Sequence, residues 1–453
     1  MNNFITVIGG GLAGCEAAYQ IAKAGIKVKL YEMKPVKFSP AHVNKNLAEI
    51  VCSNSFKSNL HTNACGLLKE ELRMLDSLLI KTADETAVPA GQALAVDRGK
   101  FARMVTEELE RNENIEIIHE EVENIEGMAK DGIIIVATGP LTSDDLSENI
   151  SKITGKDKLS FYDAAAPIIE KESIDMNIAF YGDRYEQERK KDEDIEDWKE
   201  RIKNIKASYI NLPMNKEEYE NFVNELINAD VVELHKFEKK EIFEGCMPVE
   251  IMAKRGLDTL RFGPLKPVGF TDLRTGKRPY AVVQLRQDNE EGTLYNIVGF
   301  QTNLKFGEQK RVFNLIPGLE NAEFMKYGVM HRNTFINSPK LLDETYNLKK
   351  NNNIYFAGQI TGVEGYVESI SSGMVASLNA IEQFNKTDKK IIFPKETMIG
   401  ALTNYISSEK DEFQPMNANF GILPEIPKKI KDKKEKYGKL ADRAIEKIKE
   451  LNK

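Results

Sequence analysis

The hydrophobic pattern changes period twice within the first thirty-two residues. Phe4 to Ile8 is a short, β-branched run that predicts a buried strand. It ends in Gly9-Gly10-Gly11-Leu12-Ala13-Gly14. Ala17, Ala18, Ile21 and Ala22 then recur at helical spacing as far as Gly25, a natural stop. A second strand, Lys27 to Tyr31, ends at Glu32. Farther on, Gly132 to Ala137 and Asn353 to Gln359 read as buried strands, the second followed by a small-residue helix from about Glu368 to Ile381. Between them, Pro279 to Arg286 and Leu294 to Phe300 also read as strands, and the densely charged stretch Glu186 to Lys206 predicts a solvated helix. From Phe393 to Lys453 the pattern is mostly helical. Leu440, Ala444, Ile445, Ile448 and Leu451 share one face of a terminal helix, with lysines opposite.

Strand, glycine loop, helix, strand and terminal acid, in that order, form a dinucleotide-binding unit. Gly9, Gly11 and Gly14 fit Gly-x-Gly-x-x-Gly: one for the tight turn, one for close approach of a pyrophosphate, one for helix–strand packing. The loop also brings Gly10, Leu12 and Ala13 to the phosphates, beside the free N–H groups of the helix N-terminus. Glu32 is the expected acceptor for the adenosine ribose hydroxyls. The turn at Thr138-Gly139 and the later Gly358, Gln359, Gly365 and Tyr366 are similar to flavoproteins of the glutathione-reductase type. In those proteins a late strand–Gly–helix aims a helix N-terminus at FAD. Gln359 departs from them, standing where they usually carry an acid. The expected architecture is α/β: a glutathione-reductase-type FAD-binding Rossmann domain (1–165 and 331–400), interrupted by an α+β insertion (166–330), with a helical C-terminal segment (401–453).

Composition narrows the chemistry. The 453 residues are 41% hydrophobic and 29% charged, enough for a large core without disulfide or metal staples. The four cysteines form no CxxC or Cys/His cluster, so neither zinc nor dithiol redox chemistry is expected, and a reducing cytoplasm is. No apolar run approaches the length of a membrane span. The net charge of −7 argues mildly against a nucleic-acid coat, yet Ile251–Lys340 and Lys428–Lys453 each carry six more basic than acidic residues.

Several blocks go beyond a generic flavoprotein. Pro40-Ala41-His42, Ala48-Glu49-Ile50-Val51-Cys52-Ser53-Asn54-Ser55, Leu67 to Arg73, Phe243 to Glu250 and Arg261 to Gly269 resemble the folate- and FAD-dependent tRNA uracil-5-methyltransferases, the TrmFO family. So do Pro279 to Asp288, His331 to Thr334 and Ala357 to Tyr366, and the resemblance runs nearly end to end, to about Leu423. Ala-Gly-Gln-Ile, with its glutamine, is similar to this family and to its relative MnmG. That relative is considerably longer and lacks the Val-Cys-Ser-Asn-Ser block.

The resemblance implies methylation of uracil carbon 5, a weak nucleophile until a thiolate adds to carbon 6. It implies that Cys246, in a Gly/Pro-bounded turn, is that nucleophile. Cys52 would be a second functional thiol near the flavin, either assisting proton removal or guarding the nucleophile. Cys15 and Cys65 are expected to be structural. 5,10-Methylenetetrahydrofolate would supply the carbon, FAD would carry and reduce it, and NADH or NADPH would restore the flavin. The partner would be tRNA, with a T-loop uridine turned out of its stack; a uridine of 23S ribosomal RNA is the alternative. Lys254, Arg255, Arg274, Lys277, Arg278, Lys305 and Arg332 are candidates for backbone contacts, and Arg286 for folate or flavin. No metal and no membrane are expected, and the oligomeric state is left open.

Overall fold

The computed structural model describes residues 3–155, 158–185, 192–203, 208–232, 247–387, 389–410, 413–427 and 430–451. Its first sheet has six strands in the order Asn347–Leu348, Asn351–Phe356, Ile134–Val136, Phe4–Ile8, Lys27–Tyr31, Ile115–Ile118. The inner strands are parallel and only the edge hairpin is antiparallel. Ile5, Val7, Ile134, Ile135, Ile354 and Phe356 are buried on both faces, which explains why these strands read as continuous apolar runs.

Two helices cover this sheet at close range. The first, Leu12–Lys23, is buried along most of its length. The long helix Tyr366–Phe384 packs on it through small residues. A Cβ added at Gly373 would lie 2.3 Å from the Ala13 carbonyl oxygen, so the two backbones meet with no room for a side chain.

A second, antiparallel sheet is built from Phe180–Tyr181, Tyr209–Met214, Ala281–Gln287, Leu294–Ile297, Ile168–Glu170 and Phe324–Lys326. It carries its own core around Ile210, Leu212, Phe222, Val283, Phe300 and Phe313. Lys158–Ala164 and Met330–Ile336 leave and re-enter the first unit as an antiparallel pair, a two-stranded strap between the cores. Among the described residues of the charged stretch 186–206, helix Ile195–Lys203 buries Trp198. No helix of the described residues is long and apolar enough to cross a membrane.

The helical C-terminal segment is present as expected, and it packs on the body of the chain. The boundary placed at residue 400 falls inside helix Met398–Ser407, whose Met398, Ile399, Ala401, Leu402 and Ile406 belong to the same core as the first sheet. Glu71 anchors that helix: its carboxylate accepts the Met398 N–H at 2.7 Å and the Ile399 N–H at 2.9 Å. Leu440, Ala441, Ala444 and Ile448 of the terminal helix are buried in this core too, while Ile445 is half-buried and Leu451 exposed. An amphipathic stripe tells that a face is covered but not by what, and here the cover is the flavin-type domain itself.

Gly373→Ala tests the helix–helix contact because two effects oppose. Alanine favours a helix over glycine by about 1 kcal/mol, whereas forcing a methyl group into a packed contact costs roughly 1–3 kcal/mol or more. With backbone as the obstacle the steric cost should win. A lower thermal midpoint and reduced flavin content are expected by calorimetry and absorbance. An unchanged or raised midpoint would contradict the packing argument.

Candidate active site between two helix N-termini

The first helix and the long helix both begin at one cleft, with about 1260 Å³ of space between its walls, part of it open to solvent. The glycine loop forms one wall. Gly9 has φ +104°, and a Cβ there would lie 2.5 Å from the Ala137 carbonyl oxygen. Gly14 sits behind the loop with its would-be Cβ 1.8 Å from Gly9 O, and so is a packing position rather than a wall residue. Gly11 is the opposite case: nothing lies within 4 Å of its Cβ direction. Gly10, Gly11, Leu12 and Ala13 line the cleft. The helix behind them has no side-chain cap and no acid in its first turn, so its N–H groups and positive dipole end remain available to an anion.

Glu32 closes the adenosine end. Its Oε2 accepts the Gly10 N–H at 2.8 Å and its Oε1 the Lys34 N–H at 2.9 Å. Each oxygen keeps capacity for a further bond, which fits ribose hydroxyls. The carboxylate therefore also clamps the phosphate loop, a role its position at a strand end did not reveal.

The other wall comes from the later segments. Thr138 Oγ1 and Thr142 Oγ1 lie 2.6 Å apart, and the Thr142 hydroxyl also reaches the carbonyl of Gly139, the turn glycine. Gly358 donates its N–H to Ser372 Oγ at 2.6 Å. Gln359 donates from Nε2 to both oxygens of Glu364, at 2.8 and 2.9 Å. An acid at 359 would set two carboxylates at hydrogen-bond distance, which accounts for the departure from the glutathione-reductase pattern. Gly365, φ +125°, turns the chain into the long helix but does not itself line the cleft. The open Gly11, two helix starts without side-chain caps and the acid at the second strand end fit an FAD.

Cys52 lies on the wall of this cleft, half-buried, in a turn held from several sides. The Tyr366 hydroxyl oxygen accepts the N–H groups of Cys52 (3.0 Å) and Ser53 (3.1 Å). Arg98 donates from Nη1 to the carbonyls of Val51 (2.8 Å) and Ile50 (3.3 Å), and its Nε pairs with Asp288. Arg286, on the insertion sheet, donates to Ser53 Oγ at 2.6 Å and Asn54 Oδ1 at 2.9 Å. Lys326 lies within electrostatic reach of Cys52, Glu49, Arg98 and Asp288, and burial holds its ammonium below the usual lysine range. The insertion thus meets the flavin-type domain at the Cys52 turn.

Sequence reasoning did not single out Tyr366 as a support for this turn, nor Arg98, Asp288, Lys326, or the buried pair Lys34–Glu49 at 3.3 Å. That pair stiffens the loop whose Ala41 and His42 also line the cleft. Burial pushes the His42 imidazole below its ordinary value, towards the neutral form.

The remaining candidates divide clearly. Cys15 is fully buried, its thiol directed to Gly10 O and pushed up by burial. Cys65 is buried beside Lys69 and raised to about 11, again chiefly by burial. Neither lines the cleft. Lys254, Arg255, Arg274, Lys277, Arg278 and Lys305 are all exposed; Arg274 pairs with Asp272 and Glu218, and Lys305 with Asp230. Cys246 lies outside the described residues. The residues flanking 233–246 are anchored on one segment: Val232 N–H to Asn303 O at 2.9 Å, and Val249 N–H to Gln301 O at 2.7 Å. The side chain of Arg332 is likewise outside the description. Among the described residues no group of three His, Cys, Asp or Glu side chains could hold a metal ion.

Comparison with known proteins places this architecture. The family model "glucose inhibited division protein A" matches residues 4–388. A methylenetetrahydrofolate–tRNA-(uracil-5-)-methyltransferase TrmFO of Acetivibrio thermocellus is 62% identical over 451 residues, 99% of each chain. The TrmFO of Staphylococcus saprophyticus is 56% identical over 448 residues, 98% of each chain. Among solved structures, Aquifex aeolicus GidA superposes with a TM-score of 0.67 at 17% identity, covering 99% of this chain and 73% of that one, a likeness of fold. The chain belongs to the TrmFO family of methylenetetrahydrofolate–tRNA-(uracil-5-)-methyltransferases.

Proposed function

We propose that this protein methylates carbon 5 of a T-loop uridine in tRNA, in the cytoplasm, with 5,10-methylenetetrahydrofolate as carbon source and NADH or NADPH as the final reductant. The observation that carries the reading is the Cys52 turn fixed into the wall of a dinucleotide cleft, in a chain alike end to end to methyltransferases of that name. FAD, when bound, supplies the redox chemistry, carrying the one-carbon unit and the reducing electrons.

The chain's own residues do the rest. Gly10, Gly11, Leu12 and Ala13 would hold the pyrophosphate, Glu32 the ribose, and Thr138, Gly139, Gly358 and Gln359 the flavin-side wall. The Cys246 thiolate would add to uracil carbon 6, moving the ring electrons onto carbon 5. After the carbon transfer a base removes the proton from carbon 5, and the thiolate leaves from carbon 6. Cys52 stands at the cleft to serve as that base or to guard the nucleophile. Arg98 and Arg286 hold the Cys52 turn in place, through the Val51 carbonyl and the Ser53 hydroxyl.

The test uses flavin-loaded protein with methylenetetrahydrofolate and NADPH, offered a tRNA transcript and a 23S ribosomal RNA fragment in parallel. 5-Methyluridine is expected in the T-loop alone, and none with Cys246→Ser. Methylation of the ribosomal fragment alone would move the substrate; methylation by both proteins would move the nucleophile, with Cys52 next.

Tyr366→Phe removes the hydroxyl that accepts the N–H groups of Cys52 and Ser53. Each hydrogen bond of this kind contributes about 0.5–1.5 kcal/mol. If Cys52 must be held in place, methylation should fall roughly tenfold or more while bound flavin is retained. Full activity in this variant would show that the turn needs no such support.

A further inference from the structure

A run of stacked aromatic rings crosses the insertion close to the Cys52 turn. Phe324 and Tyr327 stack at 5.4 Å between centroids and 5° between planes, and Tyr327 stacks on Phe306 at 5.0 Å and 19°. Tyr327 thus stacks with two rings, and the run ends at Phe306, which is 55% exposed. Its inner end adjoins Lys326, which lies within electrostatic range of Cys52. Its outer end follows the segment Gln301–Lys305, on which both flanks of 233–246 are hydrogen-bonded.

The arrangement is stiff. Gln309 is fully buried and donates from Nε2 to Leu304 O and Gly328 O, both at 2.8 Å, while its Oε1 accepts the Gly328 N–H at 2.8 Å. That side chain ties the residues just before Phe306 to those just after Tyr327, so the rings are held before any ligand arrives.

Charged side chains surround Phe306, most of them in pairs: Lys305 with Asp230, and Arg311 with Glu308 and Glu225. Phe306 begins helix Phe306–Phe313, and Lys310, one turn on, shares its face. Lys310 is exposed and has no acceptor among the described residues. The acid of the first turn, Glu308, is turned away to Arg311 at 2.8 Å and to the Asp230 N–H. Beside Phe306 the backbone is open, with nothing within 4 Å of the Cβ direction of Gly307. An exposed aromatic face, with a lysine one turn away that is unpaired among the described residues, is complementary to a base and its phosphate.

We infer that Phe306 is a stacking platform for an unpaired nucleobase of the tRNA substrate, one displaced near the reacting uridine, with Lys310 facing the adjoining phosphate. It rests on the reading of the chain as a tRNA methyltransferase and adds a named contact surface to it. A flipped uridine leaves neighbouring base faces without partners, and an aromatic ring accepts any base because each has a π-face.

The protein carries a single tryptophan, the buried Trp198, so Phe306→Trp adds a surface reporter read as the difference from wild type. With flavin-loaded protein and unmodified tRNA, that added emission should be quenched at the concentrations where wild type binds. Phe306→Ala and Phe306→Leu should both weaken tRNA binding by roughly 5- to 100-fold, whereas Phe306→Trp retains it. Flavin content and thermal midpoint of each variant show that it is folded. Unquenched emission from Phe306→Trp with tRNA bound, or Phe306→Leu binding as wild type does, overturns the platform alone. Quenching by methylenetetrahydrofolate and not by tRNA overturns it in favour of a folate contact. Failure of wild type itself to bind tRNA would overturn the substrate reading and the platform with it.

Discussion

The closeness of backbone to backbone behind the glycine loop is the constraint on which the rest of this structure depends. Gly14 lets the first helix start against the Gly9 turn, and Gly373 lets the long helix lie on the first. Both contacts leave less than a methyl group of room. Because of them, two helix starts without side-chain caps, separated by more than 350 residues of chain, open onto the same cleft. A cleft of this kind concentrates N–H donors and positive dipole ends where a dinucleotide's phosphates belong. Side chains do little of that work. They are spent on the perimeter, where Glu32, Thr138 and Gln359 fix the loops that the helices leave behind.

The second level of organisation is the seam between the two cores. It is polar, and it converges on one turn. Arg98 reaches from the flavin-type domain to Asp288 of the insertion, and Arg286 reaches back to Ser53 and Asn54. A seam made of charged hydrogen bonds is directional, so it fixes the orientation of the insertion relative to the Cys52 turn in a way that apolar packing alone would not. Lys326 and the aromatic run beside it extend the same seam outward, from the cleft towards the segment that carries both flanks of 233–246.

Much of this was legible in the sequence, for definite reasons. The βαβ unit, the late strand and the small-residue helix are local patterns, and each formed where the periodicity put it. The departure at Gln359 was visible, but its cause was not, because it lies in the side chain of Glu364. The supports of the Cys52 turn were invisible for a different reason: Tyr366 stands 314 residues away and Arg286 and Asp288 more than 200, so no spacing rule connects them. The packing role read for Gly14 agrees with the contact that its would-be Cβ makes with the Gly9 carbonyl oxygen. The apolar stripe of the terminal helix marked its covered face, and the body of the chain covers it.

The source of the transferred carbon distinguishes folate-dependent methylation most directly from its alternatives. Flavin-loaded protein would be given unmodified tRNA, NADPH and methylenetetrahydrofolate carrying ¹³C in its methylene group, with unlabelled S-adenosylmethionine present as competitor. Mass spectrometry of the digested T-loop should find 5-methyluridine bearing the label. Unlabelled 5-methyluridine, or none at all from protein that retains its flavin, would contradict the account.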